Sequence, residues 1–202
     1  MQLVFHTTVS PQEYYRLGKD FPFPEPSSCP SPQCLVEIPP KKHGFYTRNV
    51  HDGNFSARIF IRRYYCPFCH TTISYLPSFC LPYFQFTLDL IFTSLQLILM
   101  SNLSLRPCLK FLKESYQHLF WEISHLQFYL RRFLANLRFI KLVLRQLEPQ
   151  IELPEEGTNK REGAQKVLHL LATRFSPMQF FSFRFHQACG YSFMAPSHSI
   201  LA

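Results

Sequence analysis

Acidic residues are in short supply in this chain. Of 202 residues, 13 are Asp or Glu against 21 Lys or Arg, which leaves a formal net charge of +8 and a pI near 9.2. Such an excess sets the expectation of an anionic partner, and nucleic acid is the commonest one. Glycine is also scarce, with six residues and no Gly-rich phosphate loop among them. His-Glu-x-x-His and Gly-x-Ser-x-Gly are missing too, so the P-loop, zincin and hydrolase signatures are excluded. Two-metal phosphodiester chemistry needs three converging carboxylates. Outside the polar stretch at 149–163 they are scattered from Glu13 to Glu148, with no strand-borne aspartate pair. No catalytic site is expected, and the chain is not read as an enzyme.

No basic-then-apolar leader with a small-residue cleavage site opens the chain, and its cysteines number seven, an odd count. A disulfide framework is therefore not expected, and the expected compartment is reducing, hence cytoplasmic. Charged residues make up 17% of the composition and hydrophobic residues 47%, with 22 phenylalanines. Most of the chain should bury a core. No repeat with a period of 20 to 50 residues is apparent.

What the chain does have is two close cysteine pairs, Cys29-Pro-Ser-Pro-Gln-Cys34 and Cys66-Pro-Phe-Cys69, with 31 residues between Cys34 and Cys66. Each pair can turn two thiolates toward one point, and together they supply the soft tetrahedral set that zinc prefers. One zinc ion is expected on Cys29, Cys34, Cys66 and Cys69. Iron in a rubredoxin-like site and a degenerate, unligated pair of turns are the alternatives. His43 and His70 are the nearby substitute ligands, or simply surface polar residues. Cys80, Cys108 and Cys189 read as buried or incidental thiols.

Between the pairs, 43–50 and 55–65 are rich in aromatic and β-branched residues, with Asp52-Gly53 suited to a tight hairpin turn. In the second strand Ala57, Ile59 and Ile61 share one face, and Arg58, Phe60 and Arg62 the other. Residues 71–76 can add a third strand. Knuckle, strand, turn, strand, knuckle and strand is the order of a zinc ribbon, whose apolar content is too small to fold without metal.

The expected fold class is α+β, a small β zinc ribbon near the N-terminus followed by a mainly α-helical domain with a long helix. The divisions are 1–28, a Pro-rich lead-in; 29–80, the ribbon; 81–148, helical; 149–163, a polar linker; and 164–202, a short helix and Phe-rich tail. The stretch from Leu81 to Met100 matches a membrane span in length, but Asp89 within it costs about 2.5–3.5 kcal/mol in hydrocarbon. A core helix beginning near Thr87, after Pro82, is the better reading, with membrane association an alternative.

Beyond it, Leu112, Tyr116, Leu119, Ile123, Leu126, Leu130, Phe133, Leu137, Ile140, Leu144 and Leu147 alternate spacings of four and three. The pattern predicts a long helix over 105–148, about 66 Å if uninterrupted, or one broken near Ser115. Ser104 and Pro107 suit its start, and Pro149 its end. Trp121, Phe128 and Leu142 on the opposite face imply several packed helices, and the seam leaves room for a homo-oligomer or a partner protein. Arg131, Arg138 and Arg145 recur at seven-residue spacing beside it, a stripe that either tracks phosphates or is a solvated face. The alternation in Phe180-Phe-Ser-Phe-Arg-Phe-His186 reads as a strand or docked aromatic tail.

The order C-x4-C, His43-Gly-Phe-Tyr-Thr-Arg48, Arg58-Ile-Phe-Ile-Arg-Arg-Tyr-Tyr-Cys66-Pro-Phe-Cys69, Ile73-Ser-Tyr-Leu-Pro77 and Leu81-Pro-Tyr83 resembles the zinc-ribbon domain of bacterial transposase-related proteins. These accompany insertion sequences, and many are catalogued only as domains of unknown function. The resemblance covers about residues 20 to 100. A helix-turn-helix-like segment commonly follows in that family, and Ser104-Leu-Arg-Pro-Cys-Leu-Lys-Phe-Leu-Lys113 looks like a degraded version. The resemblance implies DNA recognition by the ribbon. The residues themselves agree: Lys41, Lys42, Arg48, Arg58, Arg62 and Arg63 fall in a stretch where Asp52 is the only carboxylate. A DNA-binding protein related to transposases is therefore the first expectation, and a protein-interaction scaffold with a structural zinc site the second.

Overall fold

A computed structural model describes residues 1–34, 36–101, 103–154 and 159–195. It is a mixed α+β structure. Alternating apolar residues make the central strands: β2 spans Lys41–His51, β3 Ser56–Tyr65 and β4 Thr72–Pro77, paired antiparallel in that order. Ile59 and Ile61 are buried, as alternation requires, while Arg58 is exposed. Gly44, at φ 74°, sits where the β2–β3 register shifts between Lys42 and Phe45, a bulge that suits a residue without a Cβ.

The lead-in is more structured than its prolines suggest. Gln2–Phe5 forms a strand, β1, that pairs parallel with β4, so the sheet order is β1-β4-β3-β2. Pro11–Leu17 is a helix, α1, capped by the Ser10 hydroxyl on the Glu13 amide, with Pro11 in its first turn. Its Tyr14 is fully buried and donates its hydroxyl to the Phe60 carbonyl at 2.9 Å. The Ser-Pro-x-Glu start of α1 is a legible N-terminal signal, and the sequence reading passed over it. Residues 21–28, where prolines deny the backbone its donors, lack helix and strand, as does the 6–10 connection between β1 and α1.

Helix α2, Leu88–Met100, starts after Thr87 and is buried along most of its length. No helix among the described residues is long and apolar enough to cross a membrane. Around α2 pack α3 (Leu105–Ser115), α4 (Ile123–Ala135), α6 (Lys160–Arg174) and α7 (Met178–Cys189), with α5 (Leu137–Leu147) against α6 and α7. All eleven seam residues join this core, fully or partly buried. Of the two expectations for 105–148, the uninterrupted helix is corrected: the chain breaks at 116–122, next to the Ser115 of the alternative, and again at Asn136, giving three helices.

Neither break has a proline or glycine to announce it. At the first, Tyr116 lies against Gly53, and the amides of Gln117 and His118 donate to Asn54 Oδ1 and the Gly53 carbonyl. At the second, the buried Asn136 amide donates to the carbonyls of Phe193 and Ala195. At the first point tertiary partners take the amides a helix would use; at the second the backbone keeps its bonds to Arg132, Phe133 and Ile140, and only the side chain turns to the distant segment. Trp121 is buried between helices, whereas Phe128 and Leu142 are exposed.

Of the two readings of the Phe-rich tail, strand or docked aromatic tail, the strand is corrected to the helix α7, which docks against α2, α5 and β1. Its buried residues, Met178, Phe181, Ser182, Phe185 and His186, recur at helical spacing, a pattern hidden when almost every second residue is aromatic. Helix α6 begins at Lys160, inside the expected linker, of which 155–158 lie outside the described residues, as do 196–202 of the expected tail.

Sheet and helices meet at the hairpin. Asp52 Oδ1 accepts from the amides of Asn54 and Phe55 and shapes the turn. Gly53 at its tip, with φ 95°, is buried under the Tyr116 ring. His51 exchanges backbone hydrogen bonds with Gln85 and Thr87, and its ring packs against Phe86 and Phe120. The tip is thus a docking element, with Gly53 buried against the helices and Asn54 left exposed.

Candidate metal centre

Cys34 follows a turn closed by its own amide on the Ser31 carbonyl at 2.9 Å. The second pair sits in the connection from β3 to β4, where the Cys66 amide donates to the Thr71 carbonyl at 3.0 Å and His70 takes φ 55°. This tight reversal points Cys66 and Cys69 the same way, and the antiparallel β3–β4 ladder holds it in place.

The result is convergence. The four sulfurs of Cys29, Cys34, Cys66 and Cys69 all lie within 4.8 Å of one another, with Cys29 to Cys69 at 3.6 Å and Cys34 to Cys66 at 3.7 Å. A tetrahedral site with metal–sulfur bonds near 2.3 Å has sulfur–sulfur edges of about 3.8 Å. The cage is therefore the size of a closed four-thiolate site, one that suits zinc and equally iron. Among the described residues it is the only grouping of three or more His, Cys, Asp or Glu side chains able to hold a metal.

Cys29 and Cys66 are buried together with Tyr64 and Ile73, while Leu3, Tyr75, Cys34 and Cys69 pack partly buried around them. Burial pushes the Cys29 thiol up to about 12, whereas hydrogen bonding from the Thr71 side chain draws Cys69 down to about 6. A cation bound among them would favour the thiolate form of all four. His43 and His70 are outside the set. Both flank Tyr65 instead: His43 packs on its ring at 5.6 Å, and His70 Nδ1 is 2.7 Å from its hydroxyl.

The cations marked in the sequence have divided fates. Arg48 lies opposite Ile59 in the β2–β3 register, so it shares the inward face. Its guanidinium donates to the Leu81 carbonyl at 2.6 Å and also to that of Phe84, bracing the connection from β4 to α2. Lys42 is ion-paired with Glu25. Arg62 lies over the rings of Phe45 and Tyr64, at 4.6 and 5.5 Å, and Arg63 over Tyr46 at 6.0 Å. Lys41 is exposed, and so is Arg58, which donates to Thr47 Oγ1 at 2.8 Å. Arg131 on α4, and Arg138 and Arg145 on α5, are exposed too, but the break at Asn136 places them on two helices.

No protein-family model matches the chain, and comparison with curated proteins and with solved structures returned no match. The likeness to transposase-associated ribbons rests on its motifs alone.

Proposed function

We propose that this protein is a zinc-dependent DNA-binding protein related to transposases, with no catalytic site of its own. Cys29, Cys34, Cys66 and Cys69 would hold one zinc ion, whose chemistry here is structural. It would tie the segment before β2 to the β3–β4 connection and make the sheet rigid. The thiolates orient the knuckles, and the strands between them carry the cations.

The observation that carries the reading is uncompensated charge. Lys41, Arg58, Arg131 and Arg145 are exposed, and among the described residues no carboxylate lies within ion-pair distance of any of them. Four phosphate contacts of this kind imply a slope of log affinity against log salt of about −3 to −4. Titrating full-length protein into duplex DNA over a range of salt, with and without a zinc chelator, tests this. Affinity that ignores salt, or that survives removal of the metal, would overturn it.

A second reading is a protein-interaction scaffold built on the same zinc site. It is favoured by Phe111, Phe120 and Leu142, which are large, apolar and exposed. That reading predicts no duplex binding at any salt.

A further inference from the structure

The loop between β4 and α2 is held on both sides. Arg48 bonds the carbonyls of Leu81 and Phe84, the Phe84 amide donates back to Leu81 at 3.1 Å, and His51 secures Gln85 and Thr87. Inside this braced loop Tyr83 adopts φ 70°, a left-handed conformation that a residue with a bulky side chain ordinarily avoids. Its side chain is 81% exposed and has no hydrogen-bond, ionic or ring partner among the described residues. The turn accounts for the conformation: with Pro82 second and the Phe84 amide closed on the Leu81 carbonyl, the third residue takes a positive φ, as in a type II turn. What the turn leaves unexplained is a displayed aromatic ring at a position where glycine is usual.

Tyr83 lines a cleft of about 300 Å³, with Phe84, Gln85 and Phe86 from its own loop and Phe128, Tyr129 and Arg132 from α4. The volume is at the small end of ligand pockets. Phe84 lies 6.0 Å from Phe128 and 5.9 Å from Tyr129 by ring centroids, so the floor is aromatic. Arg132 stands 5.3 Å above the Phe128 ring, and no carboxylate lines the cleft among the described residues. A quaternary ammonium would enjoy the rings but meet the repulsion of Arg132. A planar group joined to an anion uses both features.

We infer that this cleft receives one unpaired nucleobase, stacked against Tyr83 and Phe128, with Arg132 on the adjoining phosphate. The DNA held by the protein is then single-stranded or locally opened at this point. This rests on the DNA-binding reading and adds which form of DNA is preferred. Stacking of bases on aromatic side chains beside a cationic track is how sequence-tolerant single-strand binding works.

The test uses full-length, metal-loaded protein titrated against fluorescein-labelled oligo(dT) and against a duplex of equal length, followed by anisotropy. Tyr83→Ala should weaken oligo(dT) binding by about 5- to 150-fold, the span for loss of one base stack, and leave duplex affinity within about twofold. Tyr83→Trp should retain binding. Tyr83→Gly suits φ 70° and should keep or raise the melting temperature while losing oligo(dT) affinity, which separates lost stacking from lost fold. Arg132→Gln should make the salt slope on oligo(dT) shallower by about one phosphate contact.

Unchanged oligo(dT) affinity in Tyr83→Ala, or an equal loss on both DNAs, overturns the base site while the DNA-binding reading stands. Failure of the wild-type protein to bind either DNA overturns both.

Discussion

Replacing Gly53 by alanine should loosen the joint between sheet and helices through two separable effects. The first is conformational: at φ 95° an L-residue is strained, at a cost of about 1–2 kcal/mol. The second is steric. An added Cβ would stand 2.6 Å from Tyr116 Cδ1, 2.8 Å from Cγ and 3.0 Å from Cβ. These atoms are the root of the side chain, so no ring rotation clears them. The segment that bonds Gly53 and Asn54 through the amides of His118 and Gln117 has to move. Overpacking of this kind costs about 1–3 kcal/mol. The sum is about 2–5 kcal/mol, which for a chain of this size lowers the melting temperature by roughly 4–20 °C.

Urea and thermal unfolding of metal-loaded protein measure the total, and a double-mutant cycle divides it. In a Tyr116→Ala background the contacts at 2.6 and 2.8 Å disappear and only the close approach to the retained Cβ at 3.0 Å remains, so Gly53→Ala should then cost mainly the backbone share, with a coupling of up to about 1–3 kcal/mol. A cost below about 1 kcal/mol, or one that is the same with and without the Tyr116 ring, would refute the docked hairpin.

Three further outcomes are expected. Cys66→Ser should abolish metal binding measured by elemental analysis and lower the melting temperature sharply, since the sheet loses its tie; an unchanged melt would show that the four sulfurs hold nothing. Arg48→Met should destabilise by about 1.5–3 kcal/mol, the worth of hydrogen bonds from a charged donor, and leave DNA affinity alone. The reverse pattern would place Arg48 outside the fold. Burial depresses the His186 imidazole below its ordinary value, partly opposed by a hydrogen bond to the Gln2 backbone. Its contribution to stability should then be complete above the unfolded value of about 6.5 and fade as pH falls through that value toward the lower folded one. The slope of the urea midpoint between pH 7 and 5 should flatten in His186→Gln, and identical slopes would refute the assignment.

Much of the candidate centre was legible because its determinants are local. Two short cysteine spacings, an Asp-Gly turn and period-two alternation around Ile59 and Ile61 suffice to place four thiols around a hairpin, and the sulfurs converge within 4.8 Å. The inward direction of Arg48 was not legible because it depends on the β2–β3 register and the Gly44 bulge, which pairing decides. β1 was missed because a four-residue strand has no period to read, and its partner is β4, some 70 residues away.

The helical part divides in the same way. Hydrophobic spacing alone determined which side of 112–147 faces inward, since burying apolar area is favourable whatever the helix does at its ends. Where those helices stop was decided only in three dimensions. A backbone amide at Gln117 or His118 will leave a helix when a hairpin carbonyl or side chain waits for it. At Asn136, between α4 and α5, the buried side-chain amide satisfies the distant carbonyls of Phe193 and Ala195 while the backbone keeps its bonds to Arg132, Phe133 and Ile140. The length of the seam suggests a break near Ser115, but no residue beside either break fixes its extent, because each partner is supplied by a distant segment.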